Sequence, residues 1–162
     1  MKKMIWLAAM GAFYLIACSA PKPAPLNPAL YITAGNLFLK GIMQGRIQAT
    51  YEQWVSPGAK FNPGFSLPQF TADWQAIAEK YGALQKAELT AYQIVPGRKV
   101  VQLYYRVTHA RAGMVEYHLV TETDARGRCT VFLIDVGNAQ SYPAGGLAGE
   151  KVTLSKSLEV TP

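Results

Sequence analysis

The chain has 162 residues, 50% of them hydrophobic and 16% charged, which is enough apolar material for one packed core and too little chain for two ordinary domains. Lys and Arg number 16 against 10 Asp and Glu, a formal charge of +6, but the cations are scattered as singles and pairs, Arg126 and Arg128 among them. Without a basic helix or run, no nucleic acid partner is expected, and the charge supports no more than weak attraction to anionic lipid headgroups.

Lys2 and Lys3 precede an uncharged stretch that runs from Met4 to Ala17, the order of a secretory signal's charged start and apolar middle. A membrane-spanning helix needs roughly 20 apolar residues, and a Pro-rich segment follows too soon for that. The stretch closes on Leu15-Ile16-Ala17-Cys18. These four residues resemble the lipobox of bacterial lipoproteins, a resemblance that covers only the first eighteen residues.

It implies a signal peptide over 1–17, cleavage before Cys18, a diacylglyceryl group on the thiol and acylation of the new amine. The covalent lipid on Cys18 is then the one non-protein group expected, with no other cofactor and no metal. Each buried methylene contributes about 0.8 kcal/mol, so one acyl chain anchors marginally while two or three hold firmly. By resemblance to Gram-negative sorting rules, Ser19 in place of Asp after the cysteine implies the outer membrane, with the domain in the cell envelope facing the periplasm. The competing reading is an ordinary secretory signal or uncleaved anchor in which Cys18 is incidental. Cys129, the only other cysteine, falls in an expected strand without a neighbouring His or Cys, and reads as a small buried group.

Residues 18–29 form a linker carrying Pro21, Pro23, Pro25 and Pro28, an extended spacer that holds the domain off the bilayer. A domain is expected over 30–137. Tyr31, Ala34, Phe38 and Ile42 recur at helical spacing, then Ile47, Tyr51, Trp54 and Val55, with Gly41 and Gly45 predicting a break between the two halves. Ser56-Pro57-Gly58 ends this region. Ser66-Leu67-Pro68-Gln69 has capping-box spacing and opens a helix with Phe70, Trp74, Ile77 and Tyr81 on one face and Gly82 as its C-cap.

The period then changes from 3.6 to 2. Strands are expected over 84–95, 99–109, 114–123 and 128–136, joined by turns short enough for hairpins, hence an antiparallel meander. Residues 138–162 read as a flexible tail with at most a short strand near 151–154.

Val101, Leu103, Tyr105 and Val107 share one face of the second strand, Gln102, Tyr104, Arg106 and Thr108 the other. In the third, Val115, Tyr117 and Leu119 oppose Glu116, His118 and Glu122. The first sets must meet the helices, which predicts an α+β fold: N-terminal helices packed on a curved four-stranded antiparallel sheet. This order and content resemble the nuclear transport factor 2-like, or cystatin-like, superfamily over about Leu30 to Val136, which implies a cone-like sheet. Many relatives carry a Gly-Asp step in the first helical region where this chain has Gly45-Arg46, so no catalytic residue is carried over.

Two registers are open for the fourth strand. One faces Val131, Leu133 and Asp135 inward and makes Asp135 the candidate for a pocket; the other puts Phe132, Ile134 and Val136 inside. On the outer face Tyr104, Arg106 and His118 form a mixed aromatic and basic patch of the residue types enriched in interfaces, with His118 expected in a solvated cross-strand set beside Glu116 and Arg106. His109 is placed at a turn, and the two histidines lack metal-ligand spacing. The functional expectation is a membrane-anchored, non-catalytic binding or assembly module with a protein partner or a second copy on that face. The alternative is a small-ligand binding protein or enzyme using the cone interior.

Overall fold

The computed structural model describes residues 26–137 and 149–162. The expected signal segment, Cys18, most of the linker and the first part of the expected tail lie outside the described residues. In chain order the elements are α1 (Pro28–Met43), α2 (Ile47–Trp54), α3 (Pro57–Lys60), a 3-10 turn (Pro63–Phe65), α4 (Leu67–Tyr81), β1 (Leu84–Ile94), β2 (Val100–His109), β3 (Gly113–Thr123), β4 (Cys129–Val136) and β5 (Lys151–Val160). The fold is α+β, with one antiparallel sheet ordered β4-β3-β2-β1-β5.

Local chemistry explains the helix ends. The Asn27 side chain accepts from the Ala29 amide at 3.0 Å and Pro28 occupies the first turn, so α1 begins there. Gly45, at φ 69°, closes its end, and α2 starts two residues later. Ser56 caps α3 through the Ala59 amide at 3.0 Å, so Ser56-Pro57-Gly58 both ends the α2 region and opens a single further turn. At α4 the predicted capping box does not form. Ser66 is the N-cap but makes no side-chain cap bond, and Gln69 instead donates to Asp73 one turn on, at 2.7 Å.

One apolar layer lies between the helices and the sheet. Phe38, Phe70 and Trp74 meet edge-on or tilted with centroids 6.1 Å apart, and Trp74 reaches Tyr117 at 6.2 Å. Tyr105, Tyr117, Leu103, Leu119 and Val101 rise from the sheet into the same layer and are fully buried. At about 1.5 to 3 kcal/mol per large side chain, this layer is the principal source of stability. α1 lies so close to β2 that a Cβ on Gly35 would stand 2.5 Å from the Leu103 Cδ1 and 2.7 Å from the Tyr105 hydroxyl. His109 is not at a turn: it ends β2 inside the protein, its Nδ1 2.8 Å from the Gly82 carbonyl and its Nε2 2.9 Å from the Tyr117 hydroxyl, tying the end of α4 to the sheet.

The sheet has five strands where four were expected. Residues 151–160, expected as tail with a short strand at most, form a ten-residue edge strand paired to β1. Its signal was weak because the strand is interrupted: Leu89 pairs with Leu158 and Ala91 with Thr153, so the four residues between lie opposite Thr90 alone and the alternation is lost. At its end Val160 is buried opposite Ala87.

Candidate functional site

Strand register assembles the site. Because paired residues share a face, the pairs Ala91↔Tyr104, Tyr104↔His118 and His118↔Asp135 make a row across β1, β2, β3 and β4 on the face away from the helices. The next row runs Lys151, Gln93, Gln102, Val120 and Leu133 across all five strands.

The fourth-strand register is decided by a bulge. Val131 pairs with Thr121 on the helix-facing side, but Leu133 pairs with Val120 on the other, and Phe132 is the extra residue between them. Val131, Ile134 and Val136 therefore face inward, and neither regular register holds. Asp135 points away from the core, which removes it from the interior and brings it beside His118.

The rings of Tyr104 and His118 stack with centroids 4.8 Å apart and planes 18° apart. Lys151 Nζ lies 3.8 Å from the Tyr104 centroid, a cation held against the ring face. The Tyr104 hydroxyl donates to Gln93 Oε1 at 3.0 Å, and Gln93 Nε2 donates to the Gly149 carbonyl at 2.5 Å, linking the cluster to the start of β5. His118 is 1% exposed and Gln102 4%, so the middle of this face is covered and His118 is not in the solvated set expected for it. Burial holds its imidazole below the ordinary value of 6.5; Asp135 opposes that shift and Lys151 reinforces it. Burial likewise raises the Tyr104 hydroxyl.

Of the residues singled out from sequence, Tyr104, His118 and Asp135 come together in one row. Arg106 lies on the same face one row away, opposite Glu116 on β3 and Glu88 on β1, and is exposed. Gln93 and Lys151 were missed. The alternation of β1 is broken at its own bulge beside Thr90, and Lys151 sat in the expected tail. Cys129 is half-buried and free, its thiol raised by burial, which makes it a poor nucleophile.

The chain matches no family model, no curated relative and no solved structure. Among the described residues no group of His, Cys, Asp and Glu could hold a metal ion, and no helix is long and apolar enough to cross a membrane. A cleft of about 580 Å³ lies between Pro57-Gly58 and the β3–β4 turn, one of about 340 Å³ between Leu30, Trp54 and Cys129, and one of about 280 Å³ between the end of α1, the body of α4 and the start of β1. All three open at the surface; the space between helices and sheet is filled by Tyr105, Tyr117, Phe38 and Trp74.

Proposed function

We propose that the protein is a lipoprotein tethered through Cys18 to the periplasmic side of the outer membrane, whose domain is a non-catalytic binding or assembly module. The observation that carries the second half is the filled interior. Tyr105 and Tyr117 are fully buried between sheet and helices, and Asp135 lies on the opposite face of the sheet. The antiparallel sheet with helices against one face supports kinship with nuclear transport factor 2-like domains, as the lipobox supports the anchor. The outer sheet face is available for recognition, where Tyr104 and exposed Arg106 offer residue types favoured in interfaces. A protein partner or a second copy is the expected occupant. Confinement at a membrane raises local concentration, which favours a subunit or adaptor.

The test is intact-mass analysis of the membrane fraction for wild type and Cys18→Ala, with mild crosslinking of the wild type. A lipid-sized mass gain lost in the variant, together with a defined crosslinked species weakened by Arg106→Glu, is the expected result. A mature chain without lipid sinks the anchor. A lipidated chain that crosslinks to nothing, while binding a small ligand that Asp135→Asn abolishes, sinks the assembly role.

A further inference from the structure

One end of the domain combines three features that the core and the sheet face do not use. The Tyr31 hydroxyl meets Thr123 Oγ1 at 2.5 Å, and the Thr123 amide donates to the Lys99 carbonyl at 3.1 Å. The start of α1, the β1–β2 turn with Arg98 and Lys99, and the β3–β4 turn with Arg126 and Arg128 are thereby gathered at the end where the chain from Cys18 enters the domain. Leu30, in the first turn of α1, is 61% exposed there. The 340 Å³ cleft beside it is lined by Leu30, Trp54 and Cys129, with Arg128 among its lining residues.

The two ends differ in how many of their cations are engaged. At the far end Arg111 donates to the Ala78 and Glu79 carbonyls and finishes α4, and Lys80 lies over the Tyr81 ring at 4.8 Å, which leaves Arg46 exposed there without a carboxylate partner among the described residues. At the tether end Arg128 is paired with Asp124 at 2.9 Å, whose other oxygen accepts from the amides of Arg126 and Arg128. That leaves the side chains of Arg98, Lys99 and Arg126 exposed and without a carboxylate partner among the described residues.

From Cys18 to Leu26 the chain reaches at most about 29 Å when fully extended. A helix the length of α1 is about 24 Å long. A tether that can reach farther than α1 is long does not orient the domain, so surface chemistry decides which end meets the bilayer. We infer that the tether end is a docking surface for anionic phospholipid, with Arg98, Lys99 and Arg126 against headgroup phosphates and Leu30 with its cleft against the acyl boundary. This rests on the anchor reading. Each cation near such a surface is worth about fivefold in partition, falling with salt.

The test uses the full lipidated chain in vesicles of phosphatidylcholine, alone or mixed with phosphatidylglycerol. An environment-sensitive fluorophore is placed at Ala125→Cys in the β3–β4 turn or at Ala112→Cys in the far turn, each in a Cys129→Ser background, and quenching by brominated lipid is read. Expected are quenching at position 125 only, only with the anionic lipid, lost in high salt and reduced at least tenfold by Arg98→Glu with Arg126→Glu. Equal quenching in phosphatidylcholine alone, or equal quenching at both positions, overturns the docking surface. Intact mass of the same samples separates the two ideas: absence of lipid on Cys18 overturns the anchor, whereas a lipidated chain whose position 125 stays in water overturns the docking surface alone.

Discussion

His118 shows how one buried side chain ties the sheet face to pH. Its folded value lies below 6.5 because burial disfavours the charged ring, so well above 6.5 it is neutral in both folded and unfolded chain and contributes no pH dependence. As pH falls through about 6.5 the unfolded chain takes up the proton first, and linkage then draws the equilibrium toward unfolding until the folded ring protonates too. Urea unfolding of wild type is expected to show stability flat well above pH 6.5 and declining as pH falls through it, before the carboxylates titrate. In His118→Gln that decline should shrink; an identical slope in both proteins would show that the loss comes from elsewhere.

Elements impose a different kind of constraint, that of close approach. Gly35 lets α1 sit on β2, and Gly35→Ala drives a methyl into Leu103 and the Tyr105 hydroxyl. The Tyr105 hydroxyl is also fixed by Asn36 at 2.8 Å, so it cannot swing away without losing a hydrogen bond. Overpacking of this kind costs about 1 to 3 kcal/mol, which thermal unfolding should report as a lower midpoint with the fold retained. At the sheet edge the paired portions of β5 are expected to differ from the bulge between them. Amide exchange should be slow near residues 158–160 and fast over 154–157, as the register with β1 requires. Uniformly fast exchange from 151 to 160 would restore the tail.

At the scale of the whole molecule, stability concentrates in the aromatic layer between helices and sheet. Trp74 touches Phe38 and Phe70 from the helices and Tyr117 from the sheet, so it joins both layers. Trp74→Ala should cost about 3 to 5 kcal/mol in denaturant titration, whereas exposed Phe61, 88% accessible, should be replaceable by Ser within about 0.5 kcal/mol. If the two substitutions cost the same, the core is not where the structure puts it.

Periodicity by itself determined most of the architecture. The faces of β2 and β3, the helix stripes through Phe38 and Trp74, the break at Gly45 and the stop at Gly82 are local facts of spacing and backbone freedom, legible without any partner. The grouping of Tyr104 with His118 was legible for the same reason. Only tertiary structure decided the rest. A bulge at Phe132 turned Asp135 out of the interior, since one extra residue reverses every side chain after it while leaving the local sequence unremarkable. An edge strand at 151–160 formed because β1 offered it a ladder, although its own alternation is interrupted. His118 became buried, although its strand pattern marks it only as outward, because exposure depends on what else lies over a face, and that is a property of the assembled chain.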